Sequence, residues 1–360
     1  MNFEGFPLIV GWELTLACNL RCEHCGSTAG LPRPHELTLE ESLAICEQLP
    51  DLLVCEVDFT GGEPLLNSNW WQIAQRLHEL KIKTKLITNG LLLTPNKVAQ
   101  LKDSGVARVG VSIDGLEATH DHIRGRSGLF RRVLAGIERL QHAGIPVTAI
   151  TTVTALNINQ LPSLSTLFKS IGVDIWQFQP IFPLGRAQTC TELILDEPAY
   201  MQLGSFAKEY TLLDKHADLI IEPGDSFGYY TEVDKREPTW GGCSAGLLLC
   251  GITSDGRVKG CLSMPDELAE GDLRQHDLWD IWFDPEAFSY NRKFTQTDLG
   301  PNCSACDLAE RCRGGCSSMS FACTGRLHND PYCFYGIQSQ LDHLSSLPRT
   351  EPGQAAASIG

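Results

Sequence analysis

LIVGWELTLACNLRCEHC, residues 8–25, runs from an apolar stretch into a loop whose cysteines are spaced C-x3-C-x2-C. The apolar part, 8–16, reads as a strand, so Cys18, Cys22 and Cys25 converge in one loop at that strand's C-terminal end. Three thiolates are one short of the four protein ligands that close a structural zinc site. A four-iron, four-sulfur cubane held by the same three keeps one iron open for a small molecule. The competing reading of the loop alone is a zinc or redox cysteine cluster.

Working outward, strand-like runs recur at 54–60, 83–88, 107–113, 147–153 and 175–180, separated by stretches of helical periodicity. Such alternation predicts a parallel sheet with helices outside. Thr38 and Glu41 form a capping-box signal before the first helix, whose apolar Leu39, Leu43, Cys46 and Leu49 recur at helical spacing, so Cys46 belongs to the core. Cys55 shares a strand face with Val57 and Phe59 and is expected to be buried beside them. Six units of this kind curve into a partial (β/α)6 TIM-like barrel, and barrels place their chemistry at the C-terminal ends of the strands. The loop from Cys18 to Cys25 sits at the first of those ends.

The next strands end in short polar groups. Thr60-Gly61-Gly62-Glu63-Pro64 closes the second, Thr88-Asn89-Gly90 the third and Ser112-Ile113-Asp114-Gly115 the fourth, with Arg124 twelve residues beyond Ser112. Glycines let a backbone approach a ligand closely; a plain turn is the alternative for Gly-Gly-Glu taken alone. On the sixth strand Gln177 and Gln179 share a face opposite Trp176 and Phe178, which makes them either channel-lining groups or satisfied interior amides.

Composition narrows the class. The 360 residues are 42% apolar and 20% charged, with a net charge of -15 from 29 basic and 44 acidic side chains. That balance offers no general field for nucleic acid or an anionic membrane surface. No apolar run approaches the roughly 20 residues that span a bilayer, and the first seven residues lack the pattern of a signal peptide. A cytoplasmic protein is expected. Fifteen cysteines, an odd count, then point to metal ligation rather than a disulfide scaffold.

From Cys243 the chain changes character. It reads C-x12-G-x4-C through Gly256 to Cys261, with Cys250 between, then C-x2-C-x5-C-x3-C at Cys303, Cys306, Cys312 and Cys316, and later Cys323 and Cys333. Zinc ribbons use similar pairs. The tryptophans of Leu278-Trp279-Asp280-Ile281-Trp282 lie at helical spacing and read as packing. The expected organisation is a barrel core over 1–189, a helical bridge over 190–242, a small cysteine-rich domain over 243–340, and a disordered tail over 341–360. Cys190 has no partner spacing and is left unassigned.

The three-cysteine loop, with His24 before its last cysteine and Gly61-Gly62-Glu63-Pro64 one strand later, resembles the signature of the radical S-adenosylmethionine (SAM) enzymes. The C-terminal third resembles the SPASM domain, an extension of that family carrying two auxiliary four-iron clusters. The resemblance implies SAM and three 4Fe-4S clusters as cofactors. It assigns Cys18, Cys22 and Cys25 to the first cluster and Gly61, Gly62, Glu63, Ser112 and Arg124 to SAM, the arginine through its carboxylate. Cys243, Cys250, Cys261 and Cys316 would hold one auxiliary cluster, Cys250 being the weakest of the four and an open iron following if it is not a ligand. Cys303, Cys306, Cys312 and Cys333 would hold the other, Cys333 being favoured over Cys323.

The activity implied is reductive cleavage of SAM to a 5'-deoxyadenosyl radical and oxidative modification, by cross-linking or dehydrogenation, of a ribosomally synthesised peptide or protein side chain. The alternative is an enzyme of cofactor or small-molecule biosynthesis, modifying a tetrapyrrole or oxidising an alcohol. An iron-sulfur sensor without activity would have no use for the GGEP turn. Sulfatase-maturing relatives carry an aspartate base directly after the cysteine matching Cys261; here Leu262 stands there, with Asp266 left open as a base. The partners implied are a peptide, an electron donor such as ferredoxin or flavodoxin, and a separate leader-binding protein, since the first strand begins too early for a leader-binding domain before it. No catalytic general base is assigned, and no nucleic acid or membrane is expected.

Overall fold

The computed structural model describes residues 5–213, 219–224 and 241–346. Among the described residues ten strands form one sheet: β1 (Ile9–Thr15), β2 (Glu56–Gly61), β3 (Lys83–Thr88), β4 (Arg108–Ser112), β5 (Val147–Val153), β6 (Ile175–Pro180), β7 (Ile220–Pro223), β8 (Leu249–Ile252), β9 (Arg257–Lys259) and β10 (Gly271–Asp272). Their spatial order is β10-β9-β8-β1-β2-β3-β4-β5-β6-β7. Pairing is parallel from β8 through β1 to β7 and antiparallel along β8, β9 and β10.

The six expected strand-helix units are present, with helices such as Leu39–Gln48, Trp70–Glu79, Leu129–His142 and Leu161–Ser170 between the strands. Thr38 caps the first of these as a full capping box with Glu41. Two additions extend the sheet beyond six strands. A stretch expected to bridge domains supplies the seventh parallel strand, β7. The cysteine-rich segment contributes β8, paired directly with β1 from Ile9↔Leu249 to Trp12↔Ile252.

Period-two alternation sorts the two faces of the sheet. Val10, Trp12, Val57, Phe59, Leu86, Val109, Val111, Trp176 and Phe178 are buried in the apolar core. Glu13, Asp58, Thr60, Lys85, Ser112, Thr152, Gln177 and Gln179 take the opposite face and line a cavity. The two glutamines are therefore channel groups.

Two expectations need correcting, and a third, the packing role of the tryptophans, holds with one of them at the surface. Cys55 is exposed, because β2 begins only at Glu56 and Cys55 sits below it, bonded to the carbonyl of the half-exposed Leu8. Trp282 is buried, its indole N–H donating to the Gly5 carbonyl at 2.9 Å, but Trp279 is 46% exposed against Phe6 and Phe283. The helix Phe334–Ser346 runs past residue 341, so the expected tail is helical at its start; 347–360, like 214–218 and 225–240 of the bridge, lies outside the described residues.

Candidate active site

The cluster loop is fixed from three sides. Its base is tied to β1 through Gly30 N–H to Leu16 O at 3.1 Å and Cys18 N–H to Gly30 O at 3.0 Å. The end of β2 is bonded against it, Gly62 N–H to Thr15 O at 2.8 Å and Glu63 N–H to Ala17 O at 2.9 Å. The approach is so close that a Cβ on Gly62 would lie 2.3 Å from the Ala17 oxygen, which is why glycine is required there. From the third side Arg186, just after β6, donates to the carbonyls of Cys22 (2.7 Å) and Ala29 (2.9 Å).

Glu63 is wholly buried and accepts from Thr88 Oγ1 (2.8 Å), Asn89 N–H (2.9 Å) and Leu65 N–H (3.2 Å). Its carboxylate thus laces the end of β2 to the end of β3. Burial raises it to about 7, against the pull of those hydrogen bonds.

Asp114, fully buried after β4, is the hub of the opposite wall. Arg124 Nε and Nη2 each reach its Oδ2 at 2.7 Å, His24 Nε2 lies 3.2 Å from the same oxygen, and Thr152 N–H donates to Oδ1 at 2.9 Å. Burial pushes the Asp114 carboxyl up, but the Arg124 guanidinium above all, with the Thr152 N–H, outweighs it and holds it below its ordinary value. His24 is held neutral, burial lowering it to about 4. Ser112 and Arg124 both line the cavity, and Arg124 Nη1 makes no hydrogen bond to the described residues.

The cavity, of about 950 Å³, is shared by both halves of the chain. Cys18, Cys22 and Cys25 stand on its barrel wall; Cys261, Leu262, Lys259, Asp266, Cys316 and Ser318 face them. Charged side chains hold the halves together. Arg33 donates to Glu13 at 2.6 Å and to Asp266 at 2.7 Å, while Glu13 also accepts from Ser254 Oγ at 2.8 Å. Asp266 further accepts from Arg257 (2.7 Å) and the buried Lys259 (3.1 Å). Burial would raise this carboxyl, but three cations hold it far below the usual carboxylate range. A carboxylate bonded to three cations is a weak proton acceptor.

The auxiliary cysteines fall into two groups by mutual electrostatic influence. Cys243, Cys261 and Cys316 affect one another, as do Cys303, Cys306, Cys312 and Cys333. Cys323 stands aside, its Sγ 3.6 Å from the Met319 sulfur. Cys250 also stands aside: it is completely buried on β8 beside Val10, on the core face of the sheet. Burial raises its thiol to about 12, and no other cysteine influences it.

Cys18, Cys22 and Cys25 line an open cavity whose backbone wall has no room for a side chain, while among the described residues no group of three or more His, Cys, Asp or Glu side chains is gathered closely enough to hold a single metal ion. Sequence reading missed Arg186, Glu13, Arg33 and Lys259, which act across the fold and carry no local spacing signal. Asp114 had one, a carboxylate at a barrel strand's C-terminal end followed by glycine.

A three-cysteine loop at the mouth of a parallel α/β barrel, clamped by a Gly-Gly-Glu turn, defines a radical SAM enzyme. The chain belongs to the radical SAM superfamily, whose profile matches residues 12–163, and the iron-sulfur cluster-binding SPASM domain matches 243–307. It is 32% identical to the AdoMet-dependent heme synthase of Methanosarcina barkeri, over 91% of this chain and 97% of that protein. The mycofactocin maturase MftC of Mycolicibacterium smegmatis is 30% identical, over 92% of this chain and 83% of its own. In fold it is similar to Streptococcus suis SuiB bound to S-adenosylmethionine, with a TM-score of 0.72 and 19% identity over 92% of this chain and 76% of that one. The chain is thus a SAM-binding, iron-sulfur enzyme of oxidoreductase type. None of its described helices is long and apolar enough to cross a membrane.

Proposed function

We propose that this enzyme oxidatively modifies a ribosomally made peptide held in the cavity between barrel and SPASM domain. One observation carries the reading. Each cation on the cavity wall is already bonded within the protein: Arg33 to Glu13, Arg124 to Asp114, Lys85 to Glu56, Lys259 to Asp266 and Arg186 to carbonyls. The uncharged groups Thr60, Ser112, Thr152, Gln177 and Gln179 make no side-chain hydrogen bond among the described residues. Such a wall matches the donors and acceptors of an extended polypeptide better than a ligand bearing several carboxylates.

Cys18, Cys22 and Cys25 would hold the SAM-cleaving cluster, Cys303, Cys306, Cys312 and Cys333 one auxiliary cluster, and Cys243, Cys261 and Cys316 the other, with Cys250 left to the core. Arg124, its Nε and Nη2 spent on Asp114, would offer Nη1 to the SAM carboxylate, a charge-assisted contact. Gly61 and Gly62 would let backbone reach the ligand and Glu63 hold that backbone in place. When bound, the first cluster and SAM supply a 5'-deoxyadenosyl radical, which needs no acidic proton on the attacked carbon.

The heme synthase relatives support a second reading, a tetrapyrrole substrate. Incubating the reduced enzyme with SAM and either a candidate precursor peptide or a carboxylate-bearing porphyrin separates the two. Loss of two hydrogens from the peptide, with 5'-deoxyadenosine formed in proportion, supports the first; porphyrin turnover with every peptide untouched overturns it.

A further inference from the structure

The back of the cluster loop carries a second depression, of about 740 Å³, lined by Cys18, Asn19, Leu20, Arg21, Arg126 and neighbouring loop residues. Cys18 stands in the wall of both this depression and the substrate cavity. An electron arriving here therefore has one residue to pass, whereas from the front it would have to cross the space that SAM and substrate fill.

The charge of this surface is opposite to that of the molecule. The chain carries a net charge of -15, yet Arg21 and Arg126 are exposed and make no ion pair or side-chain hydrogen bond among the described residues. The carboxylate of Asp121, on the helix that precedes Arg126, is occupied by the N–H groups of Gly128 and Phe130. Arg186, which also lines the depression, is bonded to loop carbonyls and belongs to the fold. At the rim Leu31 is 84% exposed, an apolar contact beside the two free guanidinium groups. An acidic chain repels an acidic partner everywhere except where its cations cluster, so such a patch selects both the partner and its orientation.

We infer that this depression docks a small acidic one-electron donor protein, with Arg21 and Arg126 as the steering cations and Leu31 as the apolar contact. One electron leaves the donor and one is gained by the cluster that Cys18 would ligate, with no bond made or broken. This rests on the family membership of the chain and is independent of whether the substrate is a peptide.

The test compares the fully reconstituted wild type with the double variant Arg21→Glu/Arg126→Glu. Reduction of the clusters is followed by stopped-flow absorbance and electron paramagnetic resonance, using a reduced acidic flavodoxin or ferredoxin in one series and dithionite in the other. At low ionic strength the double variant should be reduced by the protein donor at least about tenfold more slowly, and its affinity for the oxidised donor should fall in parallel. The difference should close as added salt shortens the screening length toward about 3 Å at 1 M. Iron content and dithionite reduction should match wild type. Equal rates with the protein donor at low salt would overturn the assignment, as would a wild-type rate indifferent to salt. An equal loss with dithionite would assign both arginines to loop integrity and overturn it too.

Discussion

Arg124→Ala should do more than weaken SAM binding. It removes two of the four donors on the buried Asp114 carboxylate, Nε and Nη2 at 2.7 Å, leaving His24 at 3.2 Å and the Thr152 N–H. Breaking a buried pair from one side costs about 3–5 kcal/mol, because the remaining charge is uncompensated. At about 2–4 °C per kcal/mol for a domain of this size, the unfolding midpoint should drop by about 6–20 °C. The lost contact to SAM adds a separate penalty of about 1.5–3 kcal/mol, about a 10- to 150-fold rise in the SAM dissociation constant. Anaerobic thermal unfolding at fixed scan rate reads the first, and calorimetric titration with SAM the second. The discriminating variant is Asp114→Asn/Arg124→Ala, which removes both charges and keeps an acceptor for Thr152 N–H. It should be more stable than Arg124→Ala alone. A double variant less stable than the single one would refute the reasoning. Acidity adds a check: with Arg124 gone, burial is opposed only by the weaker remaining partners of Asp114 and its carboxyl rises, so the deficit of Arg124→Ala should shrink as pH falls.

Cys250→Ala should leave the iron content unchanged, while Cys316→Ala should release iron from the cluster it shares with Cys243 and Cys261; a loss of about four irons on substituting Cys250 would place that thiol among the ligands. Asp58, raised by burial to about 6 in spite of Lys85, retains its proton in the folded protein over a range where the unfolded chain has lost it. Stability should therefore fall by on the order of 2–3 kcal/mol as pH rises from about 4 to above 6, and Asp58→Asn should remove that slope in denaturant titrations; an unchanged slope would assign it to other groups.

Much of the site was legible because its chemistry is local. Cys18, Cys22 and Cys25 occupy one loop, and Gly61, Gly62 and Glu63 one strand end, so spacing and strand period suffice to place them. The face assignment of Gln177 and Gln179 follows from alternation with Trp176 and Phe178 in the same way. What sequence spacing could not give is set by tertiary pairing. Cys250 lies seven residues after Cys243, close enough to suggest a shared cluster, but β-pairing with Val10 turns it into the core. Arg33 meets Asp266 across 233 residues of chain, and neither carries a motif. Arg124 could be read as a ligand-binding arginine, but its commitment to Asp114 depends on a turn after β4 that no spacing rule specifies.

The pairing of β8 with β1 has a consequence for synthesis. Within this sheet β1 is made before its neighbours and gains β2 on one side early, but its other edge stays unpaired until Leu249–Ile252 emerges. At about 5–20 residues per second that wait lasts roughly 10–40 s, during which the Ile9–Trp12 edge is an open template for strand addition by other chains. Nascent chains should therefore need chaperone cover up to the second half of translation, and truncation before Leu249 should yield aggregates rather than a smaller soluble barrel. The open edge of β1 is thus closed by a strand made about 240 residues later.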